Sequence, residues 1–307
     1  MGKVRFGILS FPTTPYEELA QLWRYIEALG FASAWVADDL NIPGYSDFEV
    51  WTLLGALARE TTRLRIGTLV TATTFRHPAF LAAQVITVDH LSNGRTTLAI
   101  GAGGPPNNYA SLGIAPWSAS ERRDRLEEQV VILDQLLRGS PLTYDGQYYR
   151  TATAEMPQPI QQPRPPLVIA AHGPRGLSLA ARFADGWNSL GGQPYPDARY
   201  GISVTLAEAV ARTQQLSEQL DAYCIEIGRN PATISRSIAV YRPVSPDPLS
   251  SLAAFDDYVG RYAEIGIDEI IFYWPPLTNF LERRPLSAEQ QAIFERIALE
   301  RFPKLQE

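Results

Sequence analysis

The stretch LRIGTLVTATTFRHPAF, residues 64–80, begins as a buried strand, with apolar residues crowded together, and ends at Arg76-His77-Pro78 as a helix starts. Between the two lie Thr71, Thr73 and Thr74. Threonine there has two readings: it favours strands and caps helices, or it marks a strand whose carboxyl end forms the wall of a pocket. Either way the stretch is one strand–turn–helix unit.

The unit repeats. Apolar, β-branched runs alternate with amphipathic runs along the whole chain, the pattern of a parallel sheet with crossover helices. Strands are expected at 4–11, 33–39, 64–71, 95–103, 166–173, 184–190, 235–242 and 268–275. Helices between them carry start and stop signals. Thr14 and Glu17 read as a capping box with Pro15 in the first turn; Leu19, Leu22, Trp23, Ile26 and Leu29 line one face and Gly30 ends the run. Ser46 and Glu49 cap the next helix. A long helix runs from about Ser118 to Leu137, and a last one starts at Ser287.

Eight parallel strands, each with its helix, predict a (β/α)₈ TIM barrel, with 1–307 as a single domain. An open doubly wound sheet is the rival, but GAGGPPNN after the fourth strand breaks its helix start with two prolines and lacks the phosphate fingerprint of that fold. The repeat of near 30 residues is interrupted between strands 4 and 5 (about 104–165) and after strand 6 (about 191–203). Both stretches read as insertions on the barrel, too poor in apolar residues for cores of their own.

Composition removes several classes of function. A net charge of −6 without clustered Lys and Arg argues against a nucleic-acid surface. No apolar run reaches the length of a membrane span. The amino end, MGKVRFGIL, enters a strand directly without a cleavage site, so a cytoplasmic location is expected. Cys224, the only cysteine, excludes an internal disulfide and a thiolate cluster. The only lysines, Lys3 and Lys304, sit at the chain ends, which rules out Schiff-base and pyridoxal phosphate chemistry.

In a barrel the chemistry sits at the carboxyl ends of the strands. His77, His90 and His172 are scattered singly, not paired as metal ligands; Asp38 and Asp39 are the only well-placed acids; and no second acid stands opposite them for glycoside hydrolysis. No metal is expected. The rim is rich in Gly, Ala and aromatics, which suits a broad planar cofactor that brings its own redox chemistry. AAHGPRG and NSLGGQ, after strands 5 and 6, have the small residues that let backbone N–H groups approach a phosphate, although glycine after a strand is usually only a turn.

RIGTLVT with RHP, LSNGR, LAIGAG, LEEQVVILDQLL, DGQYY and QPRPPLVIAAHGPRGLSLAARFADGWN together resemble the luciferase-like flavin-dependent oxidoreductase superfamily, over nearly the whole chain. The resemblance is nearest to its deazaflavin (coenzyme F420) branch. It implies a barrel holding FMN or coenzyme F420 at the rim, with the ring over the third strand and a cis peptide at Leu69-Val70. Asp38, Leu69, Val70, Thr71, Ala102 and Asn107 would border the ring or its side chain. Ala170, Ala171, His172 and Gly173 would meet the phosphate side, with Leu190 and Gly191 near. Asp39 and Trp274 are the implied catalytic residues, with Trp187 and Trp274 either stacking on substrate or packing in the barrel wall. His77 reads as structural.

Sugar-phosphate-oxidising relatives carry His, Glu and Lys where this chain has Asp39, Gly104 and Gln193, so that reaction is not expected. The expected activity is hydride transfer to, or oxygenation of, a small organic substrate. A separate reductase supplying reduced cofactor and a homodimer are the implied partners. The rivals are a flavin-binding protein without turnover and, from the barrel alone, an isomerase or hydrolase.

Overall fold

Each expected barrel strand forms, and the sheet closes. The computed structural model describes residues 3–38, 48–104, 112–193, 204–240, 247–274 and 286–306. Its strands are β1 (Arg5–Ser10), β2 (Ser33–Val36), β3 (Arg65–Ala72), β4 (Thr96–Gly101), β5 (Leu142–Asp145), β6 (Arg150–Ala154), β7 (Leu167–Ala170), β8 (Gly186–Ser189), β9 (Ser235–Val240) and β10 (Glu269–Tyr273). The barrel order is β1-β10-β9-β8-β7-β4-β3-β2, and every pairing in it is parallel. Closure through β1, which pairs with both β2 and β10, disposes of the open-sheet rival.

The helices are α1 (Tyr16–Ala28), α2 (Val50–Leu57), α3 (Pro78–Leu91), α4 (Ala119–Leu136), α5 (Pro174–Phe183), α6 (Leu206–Glu226), α7 (Leu252–Glu264) and α8 (Ala288–Gln306). Their starts follow side-chain chemistry. Glu49 accepts from the Trp51 and Thr52 amides at α2, Ser118 from Glu121 at α4, and Thr205 forms a full capping box with Glu208 at α6. The box expected at Thr14 is absent: Pro15 is the N-cap of α1 and no side chain caps it. Proline has already fixed the entry, and Glu17 and Glu18 place negative charge in the first turn instead.

Strand periodicity sorts the apolar residues into two cores. Phe6, Ile8, Ala34, Val36, Ile66, Leu98, Ile100, Ile169, Ile238, Ile270 and Phe272 pack outward with the helices. Leu9, Phe11, Trp35, Ala37, Leu69, Ala99, Ala239 and Ile271 form the interior, joined by Val70, Val168, Leu190 and Tyr273. Trp35 fills the centre because its neighbours are small. A Cβ on Gly67 would lie 2.2 Å from the Thr97 carbonyl oxygen and 3.0 Å from the indole, and one on Gly7 would meet Ser33.

At the amino ends of the strands the barrel is floored by paired polar groups. Glu269 is hydrogen-bonded to Ser33, which also accepts from the Trp35 indole at 2.8 Å, while Arg65 donates to Thr97 and Gln161. The first insertion carries a hairpin, β5–β6, that the sequence reading did not anticipate. It is pinned to α4: Glu128 accepts from the amides of Gln147, Tyr148 and Tyr149, and the Arg125 guanidinium stacks 3.9 Å from the Trp117 ring and 4.4 Å from that of Tyr148. Among the described residues, no helix is long and apolar enough to cross a membrane.

Candidate active site

β3 ends in the segment Leu69–Ala72. The Leu69-Val70 peptide is cis, and the β3–β4 register shifts between Thr68 and Thr71. Leu69 and Val70 face the interior core. Beside them, β4 ends in Gly101, where a Cβ would lie 2.8 Å from Val70 Cγ2 and 3.8 Å from the Ala170 Cβ of β7. Three adjacent strands therefore finish in a continuous strip, Val70–Gly101–Ala170, in which Gly101 and Ala170 are small and the Val70 side chain lies over the space that a Cβ on Gly101 would need.

The strip leads to the start of α5. Gly173 is its N-cap, no side chain bonds to that cap, and Pro174 opens the first turn. A Cβ on Gly173 would meet nothing within 4 Å, so the space before this helix end is open. The uncapped N–H groups and the helix dipole make it a place for an anion. His172 is exposed beside it; the surrounding walls desolvate the imidazole and lower its pKa to about 4, so the ring is neutral at pH 7. Ala171 is buried, and its carbonyl accepts from the Trp187 indole at 2.9 Å.

The opposite side of the mouth is apolar and aromatic. Phe11 and Tyr273, at the ends of β1 and β10, have ring centroids 5.5 Å apart, and Leu190, after β8, shares their cluster. Gly191 follows with φ 57°, its carbonyl accepting from Tyr262 at 2.8 Å. Gly192, with φ 72°, sits so close to α6 that a Cβ would be 1.9 Å from the Ala209 carbonyl oxygen. The Gln193 amide nitrogen is buried without a partner among the described residues.

Behind the strip, charges are paired. Asp38 has a side chain only 1% exposed; it accepts from both terminal nitrogens of Arg76 and, at 3.1 Å, from the Ala72 amide. Arg76 also reaches Glu49. Burial pushes the Asp38 carboxyl up and Arg76 pulls against it, while Arg76 is itself raised because Asp38 and Glu49 outweigh its desolvation. Thr71 donates no hydroxyl to the mouth: its Oγ1 is bonded to Thr68 and accepts from the Trp51 indole at 3.3 Å. The hydroxyls of Thr73 and Thr74 are buried without partners among the described residues.

The expected site residues thus separate into groups. Leu69, Val70, Ala170, His172, Gly173 and Leu190 come together around the strip and the α5 start. Asp38 and Thr71 stand behind it, and Ala102 packs toward the outer core. Asp39 and Asn107 lie outside the described residues. Trp187 is fully buried in the outer core, so packing is its role. The Trp274 ring lies 4.8 Å from Phe294 of α8. His77 is the N-cap of α3, accepting from the Ala79 amide. Phe11 was not expected at the mouth and Tyr273 was weighed only as a strand-end residue, although alternation from Leu9 and Ile271 turns both inward once the phase of their strands is known.

Known proteins share this architecture. The family model described as luciferase-like monooxygenase matches residues 4–263. The F420-dependent glucose-6-phosphate dehydrogenase of Beutenbergia cavernae is 30% identical over 319 residues, covering 91% of this chain and 90% of that protein. The F420-dependent hydroxymycolic acid dehydrogenase of Mycobacterium tuberculosis is 30% identical over 233 residues, which span 74% of this chain and 59% of that protein. The solved structure of an F420-dependent secondary alcohol dehydrogenase in complex with an F420-acetone adduct has the same fold, with a TM-score of 0.78, 18% identity and full coverage of both chains.

Proposed function

The chain belongs to the luciferase-like monooxygenase family, and from that membership we propose that it is a coenzyme F420-dependent oxidoreductase acting on a small, uncharged organic substrate. When bound, the deazaflavin supplies hydride donor or acceptor chemistry. The observation that carries the reading is the Val70–Gly101–Ala170 strip running to the uncapped start of α5. A flat ring needs an apolar surface without long side chains, and a phosphate needs free N–H donors. This chain offers both, in that order, across three neighbouring strands.

In this reading Leu69 and Val70 back the ring, Asn107 and Ala102 border its side chain, and His172 and Gly173 receive the phosphate, with Gly191 alongside; Ala171 only supports them, since its amide donates to the Asn188 carbonyl at 3.2 Å. A neutral His172 can donate a hydrogen bond there without adding charge. Phe11, Tyr273 and Leu190 form the substrate side and exclude water from the hydride path. Asp39 exchanges the substrate proton, while Trp274, expected as catalytic, packs on Phe294 of α8 and supports the outer wall. The described part of the mouth, with Phe11, Leu190 and Tyr273, is apolar, which disfavours a phosphorylated substrate. Gly104 and Gln193, where sugar-phosphate enzymes carry Glu and Lys, point the same way.

The test is a binding titration with oxidised coenzyme F420 and, in parallel, FMN, followed by single-turnover mixing of the reduced-cofactor complex with simple ketones and enones. Coenzyme F420 is expected to bind at least about tenfold more tightly than FMN, and at least one carbonyl compound to oxidise it. Tight FMN binding with substrate-dependent oxygen uptake would assign the oxygenating branch instead. Binding without turnover would leave a cofactor carrier, and no uptake of either cofactor would end the proposal.

A further inference from the structure

We infer that Arg76 is the positioning residue of this site: it holds Asp38 on the Ala72 amide and thereby fixes the end of β3, the backing on which, in the reading above, the cofactor ring rests.

Three elements meet at this guanidinium. Asp38 follows β2, Glu49 caps α2, and Arg76 lies between β3 and α3. Arg76 makes two hydrogen bonds to Asp38 and one to Glu49, with its side chain 6% exposed. The planar fork of arginine grips Asp38 bidentately while still reaching Glu49, a fixed geometry that a lysine ammonium, acting as a point charge, does not impose. Asp38 passes the constraint on through Oδ2, which takes the Ala72 amide at 3.1 Å. The next amide, Thr73, is held differently, by the Gly101 carbonyl at 3.3 Å. From the other side the Gln129 side chain of α4 donates to the carbonyls of Thr73 and Arg76. The turn after β3 is thus braced through its main chain by α4 and through one side chain by Asp38 and Glu49.

Ala72 completes the short segment that begins at Leu69, so a change in its amide bond is transmitted to Val70 and the strip. Nothing else among the described side chains accepts from that amide.

The experiment uses the full chain, with amide-resolved hydrogen exchange in the absence of cofactor and a titration with coenzyme F420. Arg76→Lys is expected to speed exchange at Ala72 by about tenfold, leave Thr73 nearly unchanged, and weaken F420 binding by about tenfold. Glu49→Gln keeps the α2 cap acceptor and one arm of Arg76's grip, so it folds as the parent does; it is expected to give a smaller change, about twofold, in the same two readouts. In Arg76→Gln/Asp38→Asn, a neutral pair replaces the ion pair and recovers part of the affinity lost by Arg76→Gln alone. Unchanged Ala72 exchange in Arg76→Lys and Glu49→Gln would overturn the inference, as would a lowered melting temperature with unchanged F420 affinity. A parent protein that binds no cofactor, but whose Ala72 exchange responds as stated, would keep the clamp and discard the ring.

Discussion

The two ends of the barrel are built by opposite rules. At the floor, inward polar groups find partners: Glu269 has Ser33, Ser33 has Trp35, and Arg65 has Thr97 and Gln161. At the mouth, Thr73, Thr74 and Gln193 hold buried polar atoms without partners among the described residues, and the projecting groups shrink to Gly101 and Ala170. Side-chain pairing closes one end of the barrel, while the other is lined at β3, β4 and β7 by Val70, Gly101 and Ala170.

Glycine substitutions should separate the two ends most sharply. Gly67→Ala drives a Cβ to 2.2 Å from a backbone oxygen, which cannot move aside without breaking the β3–β4 ladder. A loss of about 3 kcal/mol in urea unfolding is expected. Gly101→Ala meets the far end of Val70's side chain at 2.8 Å. That contact can rotate away, so stability should fall by about 1 kcal/mol or less, while F420 affinity drops about tenfold as Val70 intrudes on the strip. Equal stability losses at the two glycines would erase the contrast.

Charge at the floor gives the next test. Burial pushes the Glu269 carboxyl above its ordinary 4.5, against the pull of Arg5 and Ser33. A raised acid contributes stability that is complete below 4.5 and is lost as pH climbs through the folded value. Glu269→Gln removes that dependence. The variant should therefore gain about 1 kcal/mol on the parent at pH 8, roughly 2 °C in melting temperature, with the gain vanishing toward pH 4. A gain that grows on acidification would contradict the assignment. The smallest effect is expected at His77→Ala, where the lost α3 cap costs about 1 kcal/mol or less and F420 affinity stays as it was.

Much of this was legible in the residues. The eight strands and the floor-to-mouth direction follow from β-branched runs and their order, and the cis Leu69-Val70 bond stands where the family resemblance put it. What escaped depends on phase and on partners distant in the chain. Trp274 directly follows Tyr273, the last residue of β10, and only the pairing with β1 and β9 decides which faces in. Arg76 reads as part of a helix start until Asp38, 38 residues earlier, is found against it. The β5–β6 hairpin is held by Glu128 from α4, a contact no local pattern announces. Thr14 shows the reverse error, a cap motif made redundant by the proline beside it.

The central claim, that the Val70–Gly101–Ala170 strip at one end of the barrel carries the cofactor, is tested most directly by a crystal structure of the protein with coenzyme F420. The deazaflavin ring is expected against Leu69 and Val70, over Gly101, with its phosphate at the amides that follow Gly173. Cofactor found away from β3, or a strip covered by the protein's own side chains while F420 binds elsewhere, would contradict it.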